Sequence, residues 1–196
     1  MSAVLTPPPM PPAAPSKRMT LQEFSDRHGG DSVEFIDGHV VELPMSHPRH
    51  GKTCARATFL LMLHVDAQDL GHICTNDPFV KVPTKYDPTR VRGADVCFFS
   101  YARVPKGPMP DGLLNVSPEL VIEARSPSDT WTEVFTKVGE YLANAVLVVI
   151  VLDIDSRTAS VYRAAVPNQL ILKDTDTLSL PDVLPGWSVP VASFFA

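Results

Sequence analysis

The sequence lacks long hydrophobic runs and paired cysteines. Its longest apolar run, AVLVVIVL, has eight residues, far fewer than the roughly twenty that cross a bilayer. The three cysteines, Cys54, Cys74 and Cys97, are widely spaced and form no C-x-x-C pair, which argues against a disulfide framework or a thiolate zinc site. No charged region followed by an apolar core opens the chain. We therefore expect a soluble protein of the reducing cytoplasm that is neither secreted nor inserted in a membrane.

The chain also lacks an excess of positive charge and several common catalytic motifs. Its formal net charge is −5, which argues against coating nucleic acid through bulk electrostatics. A local basic segment remains between positions 81 and 106, with Lys81, Lys85, Arg90, Arg92, Arg103 and Lys106. This segment is the predicted location of any phosphate-facing surface, although a solvated loop would have the same composition. No G-x-S-x-G, phosphate-loop or dinucleotide-binding motif occurs.

Proline dominates the first 18 residues, MSAVLTPPPMPPAAPSKR. Proline removes amide donors and favours an extended backbone, so we predict a disordered tail over 1–18 and a single domain over 19–196. Within that domain the motif TLQE predicts a helix that begins with a capping box of Thr20 and Glu23. The following VEFIDGHVVEL alternates apolar and polar residues around an Asp-Gly pair, which predicts a β-hairpin.

Helical and strand-like patterns then follow one another. Apolar residues at helical spacing predict a helix over about 51–70 that ends at Gly71; they are Ala55, Phe59, Met62, Leu63 and Val65. A second helix is predicted from about Ser128 to Asn144. The strand-like segments are HICTND, FVKVP, ADVCFFS, ELVIEARS, AVLVVIVLDI, TASVYRA and QLILK. The sum is an α/β (α+β) domain with a mixed β-sheet flanked by helices.

Glu123 lies in the middle of the apolar segment ELVIEARS, which predicts a core strand. Because side chains alternate along a strand, Glu123 shares a face with Val121 and Arg125, opposite Ile122. A buried carboxylate costs several kcal/mol unless it is paired, hydrogen-bonded or metal-bound, and its pKa otherwise rises. Something must therefore compensate Glu123, and an ion pair with Arg125 is one candidate.

Asp95 repeats the same pattern just before the apolar strand of ADVCFFS. Two acids on core strands can converge on one hard cation such as Mg²⁺, which takes one or two carboxylates plus water and phosphate. On the helix predicted after ELVIEARS, Lys137 lies at the edge of the apolar face. From there its side chain can reach over the sheet to hold a water. Ser128 is the predicted N-cap of that helix, whose free amides would attract phosphate. Structural ion pairs explain the two acids equally well from spacing alone.

Taken together, these residues resemble the Uma-type restriction endonucleases of the PD-(D/E)XK nuclease superfamily. The resemblance covers nearly the whole chain after the tail. It rests on MTLQEF, VEFIDGHVVEL, His50 before a long helix, RGADVCFF, PELVIEARSPSDT, KVGEYL, VLDIDSRTASVYR and LPGWSVPVASFF, in that order. Ala94 departs from the family by replacing the proline before the first acid, and Asn144 replaces the glycine after the helix, where it would supply a left-handed cap.

The resemblance implies a nuclease core in which Asp95 and Glu123 bind Mg²⁺ or Mn²⁺ and a lysine completes the site. The superfamily lysine often lies two residues after the glutamate, where this chain has Arg125, a residue suited to holding phosphate. The lysine role then passes to Lys137 on the following helix. Glu34 matches a further acidic position that reaches the metal or its waters. DNA is the implied substrate, and the implied assembly is a homodimer.

Three alternatives remain at this point. The fold could persist as a non-catalytic nucleic-acid-binding module, or as a dimer assembled through VASFFA. It could also hydrolyse another phosphate ester.

His47 and His50 are candidate metal ligands, but two histidines without a third ligand are more often ordinary polar residues.

Overall fold

The computed structural model of the chain describes residues 18–126, 129–164 and 166–196. The predicted tail, apart from Arg18, and the predicted N-cap Ser128 lie outside these residues. The helices are α1 (Leu21–His28), α2 (Pro48–Gln68) and α3 (Trp131–Ala143), followed by a short 3₁₀ turn (Val191–Phe194). The strands are β1 (Val33–Ile36), β2 (His39–Glu42), β3 (Gly71–Thr75), β4 (Phe79–Lys81), β5 (Val91–Gly93), β6 (Val96–Ser100), β7 (Leu120–Arg125), β8 (Val148–Asp153), β9 (Thr158–Arg163), β10 (Val166–Lys173), β11 (Thr177–Ser179) and β12 (Ser188–Pro190). None of the helices in these ranges is both apolar and long enough to span a bilayer.

A six-stranded sheet in the order β10-β9-β8-β7-β6-β3 forms the centre of the domain. Its strands pair antiparallel except for β7 and β8, which are parallel. Helix α3 connects these two strands, because parallel neighbours need a crossover connection. Strands β2-β1-β5-β4 form a smaller sheet beside it, and β11 pairs with β12. The prediction of a mixed sheet flanked by helices is confirmed.

The central sheet separates two cores. On one face α2 packs through Leu61 and Val65 against Leu120 and Ile122 of β7. On the opposite face α3 packs against the alternate residues of the sheet, with Val121 of β7 among them. Both faces of β7 are therefore covered, and Glu123 belongs to the α3 side because it alternates with Ile122.

The first helix and hairpin form as their local sequence predicts. Thr20 and Glu23 make the reciprocal hydrogen bonds of the capping box at the start of α1. Asp37 and Gly38 connect β1 and β2 with φ angles of 52° and 79°. These left-handed values are those of a two-residue hairpin turn, which Asp-Gly tolerates.

Helix α2 differs from its prediction in both its bounds and its buried face. It begins at Pro48, a residue suited to the first turn because its missing N–H would have no partner there. It ends at Asp69, whose φ of 53° is left-handed, and Gly71 instead opens β3. The buried side chains are Thr53, Ala57, Leu61 and Val65, whereas Phe59, Met62 and Leu63 are exposed. The predicted apolar face was wrong apart from Val65, because the helix carries apolar residues on more than one side.

Helix α3 begins at Trp131, after an N-cap at Thr130 that forms a second capping box with Glu133. The left-handed cap predicted at Asn144 is wrong, because Asn144 has a φ of −115° and Ala145 takes the positive φ of 64° instead. The Asn144 side chain amide donates to the Glu140 carbonyl oxygen at 2.8 Å. This bond holds the C-terminal turn of the helix in place of a glycine cap.

The C-terminal segment packs across the α2 face of the sheet. Trp187 is buried and its indole N–H donates to the Leu60 carbonyl oxygen at 3.0 Å. Val191 and Phe194, the apolar anchors of VASFFA, are also buried in this core. Because these two side chains pack within the chain itself, they are not free to contact a second copy. A dimer through VASFFA stays a prediction, and only the exposed part of this segment is available to form it.

Gly71 lies where β3 approaches β6 too closely for a side chain. A Cβ atom at this position would lie 2.0 Å from the Phe99 carbonyl oxygen and 2.7 Å from the Phe98 ring. We expect Gly71→Ala to lower the free energy of unfolding by about 3 kcal/mol, measured by urea titration, because backbone must move to admit the methyl group. Gly139→Ala, where nothing lies within 4 Å inside α3, should instead stabilise by about 0.5–1 kcal/mol. Equal unfolding midpoints for the two variants would contradict this packing.

Candidate active site

Asp95 and Glu123 approach each other because their strands are neighbours. Val96 of β6 lies opposite Ile122 of β7. Asp95 directly precedes Val96 and Glu123 directly follows Ile122, so the two acids lie opposite each other in this antiparallel pair. The Ala124 amide donates to Asp95 Oδ2 at 2.7 Å and ties the two strand ends together. The exposed fractions of the two side chains are 13% and 14%. The structure therefore brings both predicted acids to one largely enclosed location.

Glu123 is compensated by α3 and not by its strand neighbour Arg125. The Tyr141 hydroxyl donates to Glu123 Oε1 at 2.8 Å, and Lys137 Nζ lies 3.8 Å from Oε2. Burial raises the pKa of Glu123 to about 8, with Asp95 and Glu34 adding to the rise and Lys137 opposing it. Compensation is thus incomplete, since a fully paired carboxylate would have a lowered pKa.

Lys137 lies one helical turn before Tyr141, on the same side of α3. Its ammonium contacts Glu34 Oε1 at 2.9 Å. Burial acts to lower the pKa of Lys137, but the Glu123 and Glu34 carboxylates outweigh it and raise that pKa. Lys137 is consequently a cation at neutral pH, held between two carboxylates at the edge of the site.

Glu34, on strand β1, is held by cations on both oxygens. Arg92 Nη1 donates to Glu34 Oε2 at 2.6 Å, opposite the Lys137 contact at Oε1. Arg92 Nε also donates to Glu140 Oε2 at 2.7 Å, and Arg90 contacts the other oxygen of Glu140. This buried network connects the small sheet to α3. The resemblance predicts Glu34 at the metal or its waters, and this stays a prediction; the contacts observed also hold the ammonium of Lys137 in position.

Two members of the basic segment over 81–106 are unavailable to phosphate. Arg90 and Arg92 belong to the largely buried network just described. Arg103 contacts Glu119 at 3.0 Å, and Lys106 contacts Asp69 at 2.7 Å in an exposed pair. A phosphate-facing surface on the rest of the segment stays a prediction.

Arg125, at the end of strand β7, is engaged by residues around the start of α3 and by the neighbouring strand β8. Its Nη1 donates to Asp153 Oδ1 at 3.3 Å and its Nη2 to the Asp129 carbonyl oxygen at 3.3 Å. Its guanidinium lies 4.8 Å from the ring centre of Trp131. These contacts anchor the start of α3, and they leave Arg125 on the wall of a cleft of about 480 Å³ that Glu123 and Lys137 also line.

Three of the four predicted catalytic residues line a smaller cleft of about 280 Å³. Asp95, Glu123 and Lys137 line it together with Asp77 and His50. His47 lines the same cleft and is also the N-cap of α2. Sequence reasoning had set these histidines aside as ordinary polar residues.

His50 contacts Asp95 directly, with Nε2 at 3.2 Å from Oδ2. Asp95 raises the pKa of His50, although burial opposes the rise. On the other side of the ring, Cys54 Sγ lies 3.6 Å from His50 Nδ1. One possible ligand atom from each of these three residues lies within 4.8 Å of the other two. No other set of three or more His, Cys, Asp and Glu residues in 18–126, 129–164 and 166–196 is this close. The spacing H-x-x-x-C on a helix was the available signal, because it places both side chains on one face.

The order Cys–His–Asp is also that of a thiol hydrolase, but Cys54 lacks the required acidity. Burial raises the pKa of the Cys54 thiol well above its ordinary value, and the nearby acids Asp95, Glu123 and Asp77 raise it further. The nucleophile of a cysteine hydrolase is a thiolate favoured by positive surroundings. These negative surroundings therefore argue against nucleophilic catalysis by Cys54.

The donor chemistry of the smaller cleft fits a hard divalent cation. Two carboxylates face it from adjacent strands, and Glu123 Oε2 lies too far from Lys137 for a hydrogen bond. The raised pKa of Glu123 shows that the protein alone does not stabilise the ionised form of this carboxyl. Carboxylate oxygens are the ligands that Mg²⁺ and Mn²⁺ prefer. A bound dication would supply the missing positive charge.

Comparison with known proteins identifies a family and a fold. A family profile described as "Uma2: Putative restriction endonuclease" matches residues 19–192. The fold is similar to the crystal structure of "a putative nuclease belonging to DUF820" from Anabaena variabilis, with a TM-score of 0.73 and 19% identity over 90% of this chain and 97% of that one. At this identity the similarity shows the fold alone. No curated protein matches the chain.

Proposed function

The chain belongs to the Uma2 restriction endonuclease family, and we propose that it is a divalent-metal-dependent nuclease that hydrolyses phosphodiester bonds in DNA. The observation that carries this proposal is the pair of enclosed carboxylates, Asp95 and Glu123, beside the ammonium of Lys137. An incompletely balanced buried anion is a common mark of a functional site. A cytoplasmic location and a homodimeric assembly belong to the same proposal as predictions.

In this proposal Asp95 and Glu123 hold Mg²⁺ or Mn²⁺. A dication bound there would supply Lewis-acid stabilisation of charge on the phosphate and would favour the ionisation of water. The Ala124 amide orients Asp95 through Oδ2, and the Tyr141 hydroxyl orients Glu123 through Oε1. Each carboxylate thus approaches the cleft in a fixed rotamer, which lowers the entropic cost of binding.

Lys137 is assigned to the water and to the charge that develops on phosphorus. The Lys137 ammonium donates a hydrogen bond that holds the water in line. The water oxygen bonds to phosphorus as the bond from phosphorus to the leaving oxygen breaks; the water's proton passes to solvent, and the leaving oxygen takes a proton from solvent. Glu34 fixes that ammonium through the 2.9 Å contact at Oε1, and Arg92 fixes Glu34 in turn. Arg125, on the wall of the neighbouring cleft, is assigned to contact with a flanking phosphate.

Lys137→Ala tests this assignment through the nicking of supercoiled plasmid. We expect a loss of about 10²-fold or more in the nicking rate with Mg²⁺ or Mn²⁺, because a group that stabilises the transition-state charge is removed. Lys173→Ala, at an exposed lysine of β10, is the matched control and should nick as the unaltered protein does. Chelation with EDTA should abolish nicking by both proteins.

Equal nicking by the Lys137→Ala and Lys173→Ala proteins would point to contamination or to a different site. A substrate panel that includes RNA and phosphate monoesters separates DNA cleavage from hydrolysis of another phosphate ester. If the protein binds Mg²⁺ but cleaves no substrate of the panel, it is a metal-binding protein with a nuclease-like fold and no nuclease activity. If neither binding nor cleavage occurs, the non-catalytic module is the better description.

A further inference from the structure

His50, Cys54 and Asp95 place a nitrogen, a sulfur and an oxygen donor together at the edge of the candidate active site. His50 and Cys54 lie one turn apart on α2, and Asp95 comes from the connection between β5 and β6. One ligand atom from each residue lies within 4.8 Å of the other two. Two different elements thus build this set, and α2 holds two of its members in fixed relation.

The direct contacts within the set have the lengths found between ligands of one ion. Ligands that bind a tetrahedral zinc-like ion at about 2.0–2.3 Å lie about 3.3–3.7 Å from one another. His50 Nε2 lies 3.2 Å from Asp95 Oδ2, and Cys54 Sγ lies 3.6 Å from His50 Nδ1. The two partners contact opposite nitrogens of His50, and a set that uses one nitrogen has all three ligand atoms within 4.8 Å of one another.

Solvent reaches these three residues through a groove along α2. His50, Cys54 and Asp95 all line this groove, whose volume is about 830 Å³. His50 and Asp95 also line the smaller cleft that contains Glu123. An ion at the three residues would therefore keep an open position for water or an external ligand, as in zinc sites with three protein ligands.

We propose that His50, Cys54 and Asp95 form a second cation site, selective for Zn²⁺ or a similar thiophilic dication. Imidazole and thiolate favour such ions, whereas Mg²⁺ takes oxygen ligands. On binding, a sulfur–metal bond replaces the S–H bond of Cys54, and the released proton passes to solvent. The negative surroundings that disfavour a free thiolate at Cys54 favour a cation beside it.

The site also has a regulatory consequence, which rests on the proposed function whereas the site itself does not. Asp95 belongs both to this set and to the pair that is assigned to Mg²⁺. A thiophilic ion that takes the Asp95 carboxylate withdraws it from the nuclease centre. Zn²⁺ should therefore inhibit the Mg²⁺-dependent nicking of plasmid, and inhibition should weaken in a Cys54→Ser protein.

Cobalt binding tests the site independently of nuclease activity. We expect the full chain, titrated with Co²⁺ under reducing, oxygen-free conditions, to develop a near-ultraviolet sulfur-to-cobalt charge-transfer band that saturates at one equivalent. Zn²⁺ should remove the band. Mg²⁺ should only raise the Co²⁺ concentration needed for half-saturation, because the two ions share Asp95 but Mg²⁺ does not take a thiolate ligand. Cys54→Ser should abolish the band, whereas the matched control Cys74→Ser, half-buried beside β6, should retain it.

A second variant guards against loss of the band through unfolding. His50→Gln keeps the thiol and should weaken Co²⁺ binding at least tenfold, with far-ultraviolet circular dichroism unchanged. Absence of the band in the unaltered protein, or its persistence in the Cys54→Ser protein, would overturn the site. A normal cobalt band together with no plasmid nicking would support the site and reject the proposed nuclease function.

Discussion

Glu123→Gln should lower the rate of plasmid nicking by about 10³-fold or more while the protein stays folded. The substitution removes one of the two carboxylates assigned to Mg²⁺, and the loss of a single group that stabilises transition-state charge costs about 10²–10³-fold. The amide keeps the volume of the side chain and can still accept from the Tyr141 hydroxyl. Asp111→Asn, at an exposed loop acid, is the matched control and should nick normally.

The same variant should change how stability depends on pH. The pKa of Glu123, raised by burial to about 8, exceeds its ordinary value of 4.5, so the folded protein binds this proton more tightly than the unfolded chain does. Glu123 then stabilises most below about pH 4.5, and its contribution falls as the pH rises to about 8. At about 1.4 kcal/mol per pKa unit the upper limit of this loss is about 5 kcal/mol.

Urea titrations in EDTA between about pH 5 and pH 8 measure this effect. We expect the unaltered protein to lose stability over that interval and Glu123→Gln to flatten the profile, so that the variant is the more stable of the two at pH 8. Added Mg²⁺ should restore the unaltered protein and leave the variant unchanged. Parallel pH profiles for the two proteins in EDTA would show that Glu123 is already balanced without a cation.

Arg92→Met should lower the free energy of unfolding by about 3–5 kcal/mol. Arg92 is buried and donates to Glu34 at 2.6 Å and to Glu140 at 2.7 Å, so its removal leaves one oxygen of each buried carboxylate without its partner. Breaking a buried pair on one side has this cost because the remaining charge stays desolvated. Nicking should fall as well, since Glu34 no longer holds Lys137 in place.

Arg49→Met is the matched control for this prediction. Arg49 contacts Asp155 at 3.2 Å, but the exposed fractions of the two side chains are 67% and 50%. Such a pair contributes about 1 kcal/mol or less. Urea unfolding followed by circular dichroism compares the two variants directly. Similar losses in both would mean that water or a rearranged side chain compensates the buried network.

Local sequence was sufficient for much of the fold. The capping box of Thr20 and Glu23 and the turn at Asp37 and Gly38 form as predicted, because each depends on residues within four positions. The apolar runs around Ile122 and Ile150 predicted the central strands, since continuous burial on both faces leaves little choice of residue type. The family profile and the structural similarity confirm the fold class.

Local sequence did not predict the structure correctly where a helix has more than one apolar face, or where a charged side chain has partners distant in the chain. The buried side of α2 was misassigned because Phe59 and Leu63 follow the helical period as well as Ala57 and Leu61 do, and only packing against the sheet distinguishes the two faces. Strand β5 was missed because Val91–Gly93 has only three residues, with one arginine directly before it and another inside it. Its Arg92 is satisfied by Glu34 and Glu140, which lie 58 and 48 positions away.

The sequence by itself determined that Asp95 and Glu123 are acids in or directly beside apolar strands, and hence that something must balance their charge; it also predicted Lys137 near them. The tertiary structure alone added the other partners: Tyr141 from α3 at Glu123, and His50 from α2 at Asp95. The physical reason is that burial is a property of the local apolar pattern, whereas compensation depends on which distant side chains the sheet and helices bring within a few ångströms.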